Sequence, residues 1–212
     1  MTGGARAWVK FFGRAGTRTA ADASVLDVLA RTGAHWAGTY PAGRRPRSVR
    51  DGDRMFMAQL VARRGAADIA VFGRALAFAY VEGRDDASEE DLALRPWKAR
   101  WPHYVRVREG EFLAGTLADA VSLGELMDAL GAEAFFTTQR NALAGRGNVD
   151  PRQAYRQQPA VRLSHEGAEW LDARLDEAFD RAGRLGPAEL ARLDWPKKDP
   201  ALEGAGWSRG EE

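Results

Sequence analysis

The chain has 212 residues, of which 45% are hydrophobic, so it is long enough to bury a core and lacks the composition of a disordered protein. It contains no cysteine, which excludes disulfides, thiol catalysis and cysteine-ligated zinc. Its net charge of +1 does not by itself indicate a polyanionic partner. No apolar run approaches the ~20 residues that cross a bilayer, and the N-terminus lacks the apolar stretch of a secretory signal, so we expect a cytoplasmic protein that does not enter a membrane.

The first half of the chain predicts strands interrupted by one helix. The segment AWVKFF is rich in aromatic and β-favouring residues and predicts a first strand. DASVLDVLART carries Val25, Leu26 and Leu29 at helical spacing and ends at Gly33, a plausible C-terminal cap. DGDRMFMAQLVARR begins with a turn signal and continues as a strand. The apolar run after it contains Gly73, and a glycine within a strand often marks a bulge or a close approach.

The second half adds one more strand and then helices. HYVRVREGEFL alternates, with Arg106 and Arg108 on one face, which predicts a sheet with an exposed side. VSLGELMDALG predicts a helix capped by Ser122, SHEGAEWLDARLDEAFDRAG a second helix, and GPAELARLDW a short third one. The outline predicts an α+β fold, a small curved or closed sheet with helices packed beside it.

Catalytic motifs are mostly absent from the chain. The histidines His35, His103 and His165 are scattered and form no pair at metal-ligand spacing. There is no phosphate-binding glycine loop and no nucleophile elbow. The DGD sequence at residues 51–53 is typical of a turn, and RDDASEED is typical of a loop entering a helix with Ser88 as its cap. We therefore expect no catalytic residue, no metal and no cofactor.

Aromatic residues beside cations are the most informative pattern. Trp36 and Tyr40 lie in the loop GAHWAGTYPAGRRPRS, and Trp97, Trp101 and Tyr104 lie in RPWKARWPHY. Aromatic rings stack on exposed bases with about 1–3 kcal/mol per base, while cations hold the phosphates. Any one of these indoles alone is more often a core residue, and basic blocks are often only a solvated surface. Their combination in two basic segments favours a nucleic-acid-binding site.

The order of these pieces resembles the YTH and EVE families of the PUA-like superfamily, small barrels that bind nucleic acid carrying modified bases. AWVKFF resembles their first strand, which ends in a lysine near the ligand, here Lys10. GAHWAGTYPAG and WKARWPHYVRVREGEF resemble the YTH segments whose tryptophans form a cage around a methylated base. DGDRMFMAQL, IAVFGRALAFAYV and VSLGELMDAL resemble the corresponding EVE strands and helix.

The resemblance implies a division of the chain and a set of site residues. Residues 1–131 would form the PUA-like barrel domain, residues 132–196 a helical extension packed on it, and residues 197–212 a tail. The implied aromatic cage is Trp36, Trp97 and Trp101, the base or rim contacts are Lys10, Tyr40 and Tyr104, and the phosphate-binding residues are Arg44, Arg45, Arg47, Lys98 and Arg100.

These expectations define a nucleic-acid-binding reader that recognises a modified base, expected to be a methylated one, flipped into the cage, without catalysis. One alternative is a PUA-like hydrolase, either a nucleic-acid hydrolase or an amidohydrolase, for which Lys10 and Asp53 are the candidate pair. Another is a small-molecule or nucleotide sensor that uses the same pocket in enclosed form. The sequence leaves open DNA or RNA, the modification, a separate nuclease partner and the oligomeric state.

Overall fold

The computed structural model describes residues 5–12, 19–32, 39–63, 66–94, 96–154, 160–191 and 193. The strands are β1 (Ala7–Phe12), β2 (Thr19–Ala20), β3 (Thr39–Tyr40), β4 (Arg54–Arg63), β5 (Ala66–Ala77), β6 (His103–Tyr104), β7 (Val107–Phe112), β8 (Val121–Ser122) and β9 (Ala160–Arg162). The helices are α1 (Val25–Thr32), α2 (Glu89–Leu94), α3 (Leu123–Leu130), α4 (Phe136–Leu143), α5 (Pro151–Ala154), α6 (His165–Ala182) and α7 (Pro187–Leu190), with 3-10 turns at Pro96–Arg100 and Gly131–Ala134. The predicted cap Gly33 and the predicted tail 197–212 lie outside the described residues.

The main sheet is built on the long antiparallel pair of β4 and β5. Five of its seven strands lie side by side in the order β7-β5-β4-β1-β9. The two short strands outside this order pair with the central strands, β2 with β4 and β8 with β5. β1 runs parallel to β4, and β9 runs antiparallel to β1. The α+β class is therefore confirmed. Within the described residues the sheet stays open, so a closed barrel is not confirmed.

The two faces of this sheet have different roles. Trp8 and Lys10 point to one face, because alternate residues of a strand point to opposite sides. α6 covers the other face, where its Asp172 accepts a hydrogen bond from Arg54, the register partner of Ala7. Lys10 therefore lies on the face away from α6.

Gly73 permits a close approach within the sheet. The register between β4 and β5 shifts next to Gly73, and the register between β5 and β7 shifts a little further on, between Arg74 and Leu76. A Cβ atom at Gly73 would lie 2.5 Å from Cδ1 of Phe112 and 2.6 Å from the carbonyl oxygen of Glu111. The prediction that this glycine marks an irregularity or a close approach is confirmed in both respects.

The predicted helices α3 and α6 are both confirmed, with side-chain caps at their starts. The Ser122 hydroxyl accepts from the backbone N–H of Glu125 at 3.2 Å, and the Ser164 hydroxyl accepts from that of Gly167 at 2.8 Å. Each cap satisfies one of the backbone donors that a helix leaves without an internal partner. The helices thus begin where the sequence indicates.

The segment predicted to be a helical extension belongs to the same sheet and core. β9 pairs with β1 so that Ala160 lies opposite Lys10. α6 buries Leu171 and Leu175 completely in the core shared with the strands. The described residues of this segment, 132–154, 160–191 and 193, therefore contribute both an edge strand and a covering layer to the fold.

The prediction that Arg106 lies on an exposed side of the sheet is wrong. Its side chain is buried, and its Nε donates to the carboxylate of Asp85, which is buried as well. Arg108 follows the expectation more closely, since its Nη1 bonds Oδ1 of exposed Asp51 at 3.0 Å. Alternation predicted where Arg106 points but could not reveal the acidic partner that allows its burial.

Candidate functional site

The two aromatic and basic segments of the sequence meet in a short antiparallel ribbon. Thr39 and Tyr40 of β3 pair with Tyr104 and His103 of β6, and we call this pair the β3–β6 ribbon. The contact continues beyond the strands, because the backbone N–H of Ala42 donates to the carbonyl of Arg100 at 3.1 Å. The backbone pairing therefore brings two segments that are about 60 residues apart in sequence side by side.

Lys10 lies buried next to this ribbon. Its side chain is 3% exposed, and Nζ is 5.3 Å from the centre of the Tyr40 ring. Nζ donates a hydrogen bond of 2.8 Å to the carbonyl of Phe11. Among the described residues no carboxylate forms an ion pair with Lys10, and burial lowers the pKa of Lys10 to about 7. A large part of the Lys10 population is therefore neutral at physiological pH.

Two further polar groups are buried close to Lys10. Within the described part of the chain, neither the Tyr40 hydroxyl nor Oε1 of Gln59 has a hydrogen-bond partner. Gln59 lies on the Lys10 face, because Lys10 is the register partner of Met57, two residues earlier. Burial raises the pKa of Tyr40, so its hydroxyl stays protonated. Buried polar groups left unbonded cost about 1–3 kcal/mol each and are a common mark of a ligand site.

A second lysine–tyrosine pair is formed by Lys98 of the 3-10 turn and Tyr104 of β6, the other strand of the ribbon. Lys98 is 2% exposed, and its Nζ is 5.2 Å from the centre of the Tyr104 ring. Here the ammonium group donates to the carboxylate of Asp91. The sequence placed Lys98 among the phosphate-binding residues. Its burial and its bond to Asp91 weigh against that assignment, since a phosphate could reach it only by displacing the carboxylate, and the role of Lys98 stays a prediction.

The predicted phosphate-binding arginines are exposed, and two of them are paired with an acidic residue. Arg44, Arg45, Arg47 and Arg100 are all exposed. Arg45 and Arg47 both form ion pairs with Glu82, at 3.0 Å each. Such surface pairs are weak, about 0–1 kcal/mol, so a phosphate could compete for these two arginines.

The predicted tryptophan cage is described at only one of its three positions. Trp36 lies outside the described residues, as does the side chain of Trp97 within its 3-10 turn. Trp101 is half-buried, and its backbone N–H donates to the carbonyl of Lys98 at 2.9 Å. The cage therefore stays a prediction.

A cluster around Asp86 holds the ribbon, and the sequence did not reveal it. Nδ1 of buried His103 lies 2.6 Å from Oδ1 of Asp86, and the Tyr80 hydroxyl donates to the same oxygen at 2.8 Å. Burial raises the pKa of Asp86, but bonds from His103, the Gly83 backbone and Tyr80 outweigh it and hold this pKa below its ordinary value. The only sequence signal was an acidic run, which was interpreted as a helix entry. That interpretation is confirmed by the Ser88 cap of α2.

Asp53, the candidate partner of Lys10 in a hydrolase, has a structural position. Its carboxylate accepts from the backbone N–H of Arg6 at 3.1 Å, from Nε1 of Trp8 at 2.9 Å and from the backbone N–H of Arg50 at 3.0 Å. It precedes Met57, the register partner of Lys10, by four residues, which is roughly 13 Å along a strand. The fold thus separates these two residues.

Neither a metal site nor a membrane helix is found in the described ranges. No group of three or more histidine, aspartate and glutamate side chains there could hold a metal ion. None of the helices described is long and apolar enough to span a bilayer.

Comparison with known proteins gives no family assignment. No family model matches the chain, and no curated protein matches it. Among solved structures it is similar to a hypothetical protein from Leishmania major, with 10% identity and a TM-score of 0.43 over 82% of this chain and 96% of that one. It is also similar to human THYN1 protein in complex with 5-methylcytosine containing DNA, with 14% identity and a TM-score of 0.37 over 80% of this chain and 98% of that one. TM-scores below 0.5 do not establish a shared fold, so a functional argument must come from the chain's own residues.

Proposed function

We propose that this protein is a PUA-like nucleic-acid reader that binds a modified base, flipped out of its strand, against Lys10 and the β3–β6 ribbon. One observation carries the proposal. Among the described residues, a lysine without a carboxylate partner is buried near two polar groups that have no hydrogen-bond partner, at the place where two basic, aromatic segments meet. Such a combination is expensive for the folded chain alone, and a ligand that bonds these groups would offset the cost.

The chemistry of these groups suits the edge of a base. Lys10 with a pKa of about 7 offers N–H donors and, when neutral, an acceptor lone pair. The Tyr40 hydroxyl donates or accepts, and Oε1 of Gln59 accepts. Bases present mixed donors and acceptors on their Watson–Crick edge, and proteins read flipped bases through hydrogen bonds to that edge. A site that offers both hydrogen-bond donors and acceptors therefore favours a neutral base over an anion.

The predicted cage would supply the stacking surfaces. Trp101 lies two residues before the start of β6, so its ring lies on the same short segment as Tyr104. Together with Trp36 and Trp97 it would enclose the base and its methyl group, gaining dispersion and stacking energy. The exposed arginines of the adjoining loop, Arg44 among them, would contact the flanking strand.

A binding titration tests the proposal. Short DNA and RNA oligonucleotides would carry plain adenine, N6-methyladenine, cytosine or 5-methylcytosine, and binding would be measured with wild type, Trp36→Ala and Trp101→Ala. Trp170→Ala is the matched control, because Trp170 is also half-buried but lies on α6, on the opposite face of the sheet. We expect preference for one modified oligonucleotide, lost in the first two variants and kept in the control. Equal binding of all oligonucleotides by wild type would contradict base recognition.

A second function is favoured by the pKa of Lys10. A buried lysine titrating near pH 7 is suited to act as a nucleophile or a general base, which is what a hydrolase on this fold would need. Asp53 would not assist it, since that carboxylate is bonded elsewhere. Mass spectrometry of modified nucleosides and oligonucleotides incubated with the protein separates the two functions. A product of altered mass, formed by wild type and not by Lys10→Met, would establish the hydrolase.

A further inference from the structure

Three arginines gather on the sheet around Trp8. The guanidinium of Arg6 lies 5.6 Å from the centre of the Trp8 ring, and Arg162 of the edge strand β9 is the register partner of Trp8. Arg50 comes from the turn that precedes β4. We call Arg6, Arg50 and Arg162 the arginine cluster. Burial, together with the like charges of Arg6 and Arg50, lowers the pKa of Arg162, while Asp53 opposes this effect.

The cluster contains more positive charge than its acid neutralises. Asp53 is its one close carboxylate in the described ranges, and it forms an ion pair with Arg6 at 3.2 Å. Its remaining bonds go to the backbones of Arg6 and Arg50 and to the indole of Trp8. Within those ranges no carboxylate pairs with the side chains of Arg50 or Arg162. Counting only the residues that the structure describes, two guanidinium groups are therefore left without a counter-charge.

Arg162 is also held in place before any ligand arrives. Its guanidinium carbon lies 3.9 Å from the centre of the Phe136 ring, and Arg140 approaches the same ring at 5.8 Å. Arg162 is half-buried, whereas Arg50 and Arg140 are exposed. A guanidinium fixed against a ring loses little further freedom when it binds an anion, and its planar donors suit two phosphate oxygens.

The cluster lies next to the proposed base site. Trp8 and Lys10 are on the same face of β1, and two residues of a strand span roughly 7 Å. In β9, Arg162 lies opposite Trp8, just as Ala160 lies opposite Lys10. A strand whose base reached Lys10 would thus carry its backbone close to the cluster.

We infer that the arginine cluster of Arg6, Arg50 and Arg162 is a phosphate site that binds the sugar–phosphate backbone beside the base held at Lys10. The identity of the ligand rests on the proposed function, whereas the position of the site does not. Contacts of this kind position a strand without reading its sequence. The arginine cluster would take over the part that the sequence assigned to Lys98, which is already bonded to Asp91.

The salt dependence of binding tests this inference. Wild type, Arg50→Gln, Arg162→Gln and Lys10→Met would be titrated with an unmodified single-stranded DNA 12-mer at several salt concentrations. Each lost phosphate contact lowers the slope of log K against log salt by about 0.7 for a single strand, so we expect this reduction in both arginine variants and an unchanged slope in Lys10→Met. Arg174→Gln is the charge-matched control, because Arg174 is exposed on α6 and pairs with Glu177 at 2.8 Å.

Arg50→Gln decides the question if Arg162→Gln fails to fold, since Asp53 accepts from the backbone of Arg50 and that bond survives the substitution. Wild-type slopes in Arg50→Gln and in every folded Arg162→Gln sample would overturn the phosphate site and leave base reading intact. Reduced slopes in a protein that shows no preference for any modified base would support the phosphate site and overturn base reading. No binding by wild type would overturn both.

Discussion

The two buried lysines that lie against the tyrosines of the β3–β6 ribbon make an informative pair. Lys10 and Lys98 are 3% and 2% exposed, and each ammonium group lies just over 5 Å from the ring of a buried tyrosine. Lys98 is bonded to Asp91, whereas no carboxylate among the described residues pairs with Lys10. The same residue type in nearly the same burial is therefore structural in one place and costly in the other, and the cost points to function.

The largest effect is expected from Lys10→Met. Methionine fills the space without a charge, so it should raise the free energy of unfolding at pH 7 and below by as much as about 5 kcal/mol, the equivalent of lowering the pKa from 10.5 to about 7. Denaturant unfolding would measure it. Lys98→Met is the matched control and should destabilise the protein, because it leaves Asp91 without its cation. A destabilised Lys10→Met variant would show that the Lys10 amine is compensated after all.

Asp91→Asn tests whether the buried Lys98 depends on its carboxylate partner. It leaves the buried ammonium of Lys98 without a counter-charge, so we expect a loss of about 3 kcal/mol in the free energy of unfolding. Asp128→Asn removes an exposed carboxylate that pairs with Arg152 and should cost less than about 1 kcal/mol. Equal costs for these two substitutions would mean that Lys98 does not depend on Asp91.

The pH dependence of stability should report on Lys10. The folded-state pKa of Lys10 lies below its unfolded value, so the unfolded chain binds more protons between pH 7 and 10.5. Stability should therefore rise with pH from about 7 to 9.5, by up to about 1.4 kcal/mol per pH unit. Tyr40 does not interfere in that window, because its pKa is raised from 10. Lys10→Met should remove the rise, and a flat wild-type profile would contradict the depressed pKa.

The smallest effect on stability is expected from Tyr40→Phe. The hydroxyl it removes has no partner among the described residues, so stability should change by no more than about 1 kcal/mol. Binding of the preferred modified base should weaken about tenfold, as for one lost hydrogen bond of about 1.4 kcal/mol. Tyr80→Phe is the control, since it removes a bond to Asp86 instead. Binding that is unchanged in Tyr40→Phe would remove the Tyr40 hydroxyl from the site.

Local patterns predicted much of this fold, and distant partners account for what they missed. β1, β4, α3 and α6 follow from β-favouring composition, a turn signal, helical spacing and caps such as Ser122. The burial of Arg106 depends on Asp85, 21 residues away, which no local pattern reveals. Lys98 of the 3-10 turn is paired with Asp91 of α2. Because the basic segment around Lys98 contains no acidic residue, the sequence indicated an exposed cation there. Lys10 was expected near the ligand only through a family resemblance, and the lack of a carboxylate partner for it among the described residues became visible in the structure.

The most direct test of the account is the affinity of wild type and Lys10→Met for one oligonucleotide in its modified and unmodified forms, measured beside their stabilities. The account predicts that Lys10→Met is the more stable protein, that it retains salt-dependent binding of the strand, and that it no longer distinguishes the modified base. A Lys10→Met variant that keeps the wild-type preference would show that Lys10 does not read the base, and the proposed site would be contradicted.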